Sequence, residues 1–97
     1  MTIALRSQPI GFADEEIRVT LADALRREAE MACLRRDHYA GLCKTFELAH
    51  HLSSDEFLIR FERGDLGDES FAFDWYAAKR GLDLWDRRFH ILNGIVM

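Results

Sequence analysis

Proline occurs once and glycine six times in 97 residues. With so few breakers, and with Leu, Ala, Arg, Glu and Asp dominating the rest, the composition favours helix and leaves almost no sheet to be expected. No apolar run approaches the roughly 20 residues needed to cross a bilayer. Met1 to Phe12 also lacks the basic start and apolar middle of a signal peptide, so a cytoplasmic protein without a membrane partner is expected. An excess of basic residues is missing too. A formal net charge of −4 argues against a chain whose main task is to grip phosphate backbones, and nucleic acid is not the expected partner. Cysteine is scarce. Cys33 and Cys43 fall on one predicted helix, about 15 Å apart along its axis, which excludes a disulfide between them and points to two buried thiols.

What is present is ordinary globular material, 48% apolar and 31% charged, enough for one packed core. The chain is short for a domain that must hold its fold unaided, so self-association or a partner would help it.

The order of elements emerges from caps and periodicity. Residues 1–13 hold the single Pro and read as an extended leader whose Ile10 and Phe12 tuck onto the rest, or as an arm for strand pairing with a partner. A first long helix is predicted over 14–51. Asp14, Glu15 and Glu16 suit its positive end, and Asp14 is placed to cap it. Its apolar face runs through Ile17, Leu21, Leu25, Ala29 and Ala32, then Tyr39, Leu42, Phe46 and Ala49. Gly41 is the one point where this rod could bend or pack closely.

The stretch from Ser53 to Tyr76 is the most informative. Ser53 and Glu56 form a capping box, in which the hydroxyl takes a first-turn N–H and the carboxylate reaches back to the cap. This opens a short helix over 54–63 whose apolar face is Phe57, Leu58 and Phe61. Gly64 is placed to end it in a left-handed conformation. Asp65, Leu66, Gly67 and Asp68 make the turn, with Leu66 an anchor for the core and Asp68 a cap for the next helix. This second long helix is predicted over 69–93. Phe71, Trp75, Ala78, Leu82, Trp85, Phe89 and Leu92 are spaced alternately four and three apart, a heptad seam that must face another helix. A weaker stripe of Phe73, Ala77, Gly81, Leu84, Ile91 and Ile95, broken by Arg88, lies on a different face and calls for a second neighbour: the short helix, a second copy or another protein.

Chemistry is sparse. His38, His50, His51 and His90 include no i, i+3 or i, i+4 pair of histidines such as a helical metal site uses, and no metal is expected. Cys33 and Cys43 have no histidine fixed beside them by spacing, and Ser53 and Ser54 read as caps, so no enzyme and no cofactor are expected. Asp55, Glu56, Glu62, Asp65, Asp68, Glu69 and Asp74, against Arg60 and Arg63, leave this stretch with a local charge of −5. The spacing is not that of an EF-hand loop. It fits helix caps and a solvated acidic knob, or a surface for docking a basic partner. The pairs Arg26-Arg27, Arg35-Arg36 and Arg87-Arg88 have acidic neighbours and read as salt-bridged bundle faces.

Ser54, Glu56, Phe57, Phe61, Gly64, Leu66, Gly67, Asp68, Phe73, Asp74, Trp75, Tyr76 and Ala77 together resemble a family of short bacterial and archaeal helical proteins with the pattern SxEEFLxxFExGELGDDxxFFEWYA. Trp85, Asp86, Arg88 and Leu92 resemble its WExRLxxL-like end, with Phe89 in place of a leucine. The resemblance spans about half the chain, from Leu48 to Leu92; the leader, the tail and the first helix carry none of it. It implies the antitoxin partner of a small toxin–antitoxin pair, a helical adaptor without catalytic residues that neutralises a cognate toxin by contact. The fold expected is an all-α antiparallel hairpin of two long helices with the short helix across its closed end, oligomerising as a helical bundle, at least as a homodimer. The expected partner-binding residues are Asp65, Asp68, Glu69, Phe73, Trp75 and Tyr76.

Overall fold

The structure, a computed structural model, describes residues 11–95. Three helices succeed one another: α1 (Asp14–His50), α2 (Ser54–Glu62) and α3 (Ser70–Asn93). The two long helices pack against each other as an antiparallel hairpin about 60 Å long, and α2 lies at its closed end. This is the all-α architecture expected. Most of the predicted leader falls outside the described residues. Of its end, Phe12 is 56% exposed and so is not tucked onto the helices.

Asp14 does not cap α1. The N-cap is Ala13, which has no side-chain oxygen to offer, and Asp14, Glu15 and Glu16 form the first turn instead. They still complement the helix dipole. The rod then runs unbroken through Gly41, where an added Cβ would meet nothing within 4 Å; it neither bends nor packs closely there. His51 ends the helix in the left-handed region at φ 53°, and the N–H of Leu52 returns to the Glu47 carbonyl at 3.4 Å.

The heptad seam of α3 is buried or half-buried at every position from Phe71 to Leu92. It faces α1 in a register fixed by ring contacts: His50 stacks on Phe71 at 4.2 Å, Phe46 on Trp75 at 5.6 Å, and the Arg36 guanidinium lies 4.6 Å over Phe89. Each step toward the start of α1 is matched by one toward the end of α3. The facing stripe on α1 differs from the one expected. Leu42 is 40% exposed and Ala49 is exposed, whereas Cys43 is 2% exposed. The reason lies in the spacing. From Ala29 and Ala32, alternating steps of four and three lead through Arg36, Tyr39, Cys43 and Phe46 to His50. Arg36 and His50 are polar, so hydrophobicity alone draws the stripe onto neighbouring positions. At Gly81 the helices pack closely, since a Cβ there would sit 2.7 Å from the Tyr39 ring.

Candidate functional site at the elbow

The elbow is built from two well-formed stops and one weak start. Ser53 Oγ accepts the Glu56 N–H at 3.1 Å, but the Glu56 carboxylate binds Arg60 at 3.1 Å instead of returning to the cap. Half of the predicted capping box therefore forms. At the other end, Gly64 N–H donates to the Phe61 carbonyl and Asp65 N–H to the Arg60 carbonyl, both at 3.0 Å, with Gly64 at φ +77°. These two bonds close a Schellman motif, the left-handed stop expected of this glycine. Asp68 lies in the turn and does not cap α3. The N-cap is Glu69, whose longer side chain makes no cap bond.

Beneath the turn sits a polar knot that sequence reasoning missed. Trp75 is fully buried, stacked on Phe57 at 4.0 Å, and its Nε1–H donates to Ser54 Oγ at 2.9 Å. Ser54 is thus not a cap but the buried acceptor that makes an interior tryptophan tolerable. Its own N–H donates to Glu47 Oε2 at 2.8 Å, tying the start of α2 to α1. Lys79, nearly buried on α3, donates to Asp55 at 2.8 Å and to Asp83 at 2.9 Å. Burial works against its ammonium charge, but the two carboxylates outweigh it and its pKa is raised. Burial pushes the Cys43 thiol up as well. Glu47 and Lys79 belong to no motif of the sequence, and only their contacts across the elbow reveal them.

The six residues expected to meet a partner divide. Trp75 belongs to the core and offers no surface. Phe73 is 53% exposed and meets Phe61 edge-on at 5.7 Å, while half-buried Tyr76 stacks on Phe61 at 4.4 Å. These three rings form one aromatic cluster with an open side. Asp65 is exposed but paired with Arg63 at 3.2 Å. Asp68 and Glu69 are exposed, and no ion pair of theirs is found among the described residues. The acidic knob is therefore partly neutralised from within: Asp55, Glu56 and Asp65 all hold cations of this chain.

From Phe73 the open side continues along α3 through Ala77, Leu84 (45% exposed) and Ile91 (51% exposed). These are four members of the weaker stripe of the sequence; of the other two, Gly81 faces the Tyr39 ring of α1 and Ile95 lines a groove beside α1. The short helix reaches only the first residue of the stripe, through Phe61. Among the described residues no group of three His, Cys, Asp or Glu side chains is placed to hold a metal, and no helix is long and apolar enough to cross a membrane. What the arrangement offers chemically is a contact surface: an apolar stripe that starts at an aromatic cluster and an acidic turn. Compared with family models, curated proteins and solved structures, the chain matches none of them.

Proposed function

We propose that this chain is a non-catalytic protein-binding module that neutralises a partner protein by direct contact, in the manner of an antitoxin. The observation that carries this reading is the uncovered stripe of α3. Phe73, Leu84 and Ile91 are each about half exposed and lie on one helix face, an apolar stripe interrupted by Arg88 and of the kind used in helix-mediated recognition. The aromatic cluster at its head supplies an anchor, because Phe73 and Tyr76 are held by Phe61 before any partner arrives. Asp68 and Glu69, which have no ion pair among the described residues, would steer a basic partner toward that anchor. The resemblance of the elbow to antitoxin-like proteins gives the partner a class, a small cognate toxin.

Co-expression tests this. The reading frame adjacent to this one is expressed alone and with the present chain; growth arrest by the neighbour and rescue by this protein are expected. Rescue should be lost with Leu84→Asp, whose side chain supports no core contact, while the helical circular dichroism and melting temperature stay unchanged. Failure of rescue by folded wild-type protein would overturn the proposal. A second reading, a homodimerising structural protein without a toxin, is favoured if the same Leu84→Asp change alters only the sedimentation mass.

A further inference from the structure

The two long helices are unequal. α1 has 37 residues and α3 has 24, and they are level at the elbow, where His50 stacks on Phe71. The whole difference therefore appears at the open end, where about 20 Å of α1 extends past α3 at 1.5 Å per residue. This overhang is not a polar spacer. Ile17, Leu21 and Leu25 lie on one face of it, each half-buried, and no described helix runs beside its first two turns. At its base is an open apolar groove of about 600 Å³, lined by Leu25, Ala29, Cys33, Phe89, Leu92 and Ile95 among others.

We infer that the overhang pairs antiparallel with the overhang of a second copy, about a two-fold axis at Leu21, and that Phe12 and Ile17 of each copy fill the groove of the other. Three observations select this occupant. Charge is the first. The overhang is acidic at its start (Asp14, Glu15, Glu16) and carries Arg26 and Arg27 at its base. An antiparallel pair sets each acidic turn against the other copy's arginines, whereas a parallel pair sets acid on acid. Glu15 and Arg26, eleven residues apart, lie on the same flank of the helix, which is the flank that meets its own equivalent across an antiparallel seam. Length is the second. With Leu21 on the axis, the start of each α1 arrives where the other copy's α3 stops, so neither helix protrudes. The third is complementarity in kind: Phe12 is 56% exposed and, in this register, lies opposite Glu30, beside Ala29 and Cys33 in the groove lining. Arg26 holds Asp23 at 3.2 Å within its own chain, but the Arg26 side chain is largely exposed and its guanidinium charge can be shared with an incoming carboxylate. The inference is independent of the α3 stripe and of any toxin.

Sedimentation equilibrium of the full chain over micromolar to sub-millimolar concentrations tests it. A monomer–dimer equilibrium is expected, reaching twice 11.3 kDa. Leu21→Asp and Phe12→Ala should each weaken it at least tenfold at unchanged helix content. Glu15→Arg alone should weaken it, and Glu15→Arg with Arg26→Glu should restore it, because the two-fold rebuilds both pairs from one chain. In a Cys33→Ser background, Leu21→Cys should oxidise to a disulfide-linked dimer and Leu48→Cys, near the elbow, should not. A monomer at every concentration would overturn the inference, pointing to residues 1–10 of the same chain as the cover. A dimer insensitive to Leu21→Asp, or one the double charge swap fails to restore, would overturn it equally.

Discussion

Two glycines in helix interiors show how much the residue scale depends on what stands opposite. Gly41 has open space where a Cβ would go, so Gly41→Ala removes the backbone entropy of glycine at no steric cost and should stabilise the fold by about 0.5–1 kcal/mol. At Gly81 the same change drives a methyl into the body of the Tyr39 ring, 2.7 Å away. The propensity gain is then outweighed by overpacking, typically about 1–3 kcal/mol, and Gly81→Ala should lower stability. Urea melts of the two variants, read for midpoint and slope, check the opposite signs. Nothing local distinguishes these residues in the sequence. Gly41 read as the candidate bend and Gly81 as one member of a weak stripe; the difference is made by Tyr39, which lies 42 positions away along the chain.

At the scale of the element, legibility depends on where the information sits. The α3 seam could be read because all seven positions are apolar, so period alone reveals it. The α1 seam differs from expectation at two places in its second half, Cys43 for Leu42 and His50 for Ala49, and includes Arg36; Arg36 lies over Phe89 and His50 on Phe71. A guanidinium on a ring and an imidazole in a stack are packed groups that hydrophobicity does not count. Gly64 was legible as a stop because a left-handed residue is a local demand. The caps of α1 and α3 each fall one residue from the position expected: Asp14 and Asp68 are better caps by type, yet Ala13 and Glu69 are the N-caps. Those mismatches leave stability to be gained. Glu69→Asp shortens the side chain to cap reach and should add about 0.5–1 kcal/mol. His51→Gly relieves a left-handed non-glycine residue and should add about 1 kcal/mol. Thermal melts of the single and double variants should show the gains, and they should be additive because the two sites serve different helices.

For the whole molecule the controlling feature is that one small knot joins all three helices: Glu47 of α1, Ser54 and Asp55 of α2, Trp75 and Lys79 of α3. Its pH behaviour comes from two shifts in the same direction. Lys79 holds its proton more tightly folded than unfolded, so its contribution is complete below the ordinary lysine value of 10.5 and is lost as pH rises through the folded value. Cys43 is likewise kept protonated by burial, and the unfolded chain gives up that proton first, above about 9.0. Stability should therefore fall on the alkaline side from about pH 9 upward, and Lys79→Met should flatten the upper part of that decline. Urea midpoints measured across the alkaline range check both the sign and the assignment. The same knot explains why the candidate surface was only partly readable. Trp75 belonged to a motif that also contains Phe73 and Tyr76, and spacing could not say which of the three rings is enclosed. That depends on Ser54 and Phe57 arriving from the neighbouring helix.

The matched register of α1 and α3 also orders events in time. Facing pairs at the elbow, such as His50 and Phe71, are separated by a short loop, and every turn toward the open end lengthens the segment to be closed. Loop entropy therefore makes the elbow the cheapest place to begin and the open end the last to join. The hairpin closes as a zip and opens in reverse, so amide exchange should be slowest around Trp75 and fastest beyond Ala29. The Schellman turn and the buried tryptophan are in this sense a starting point for folding as well as a joint in the finished structure.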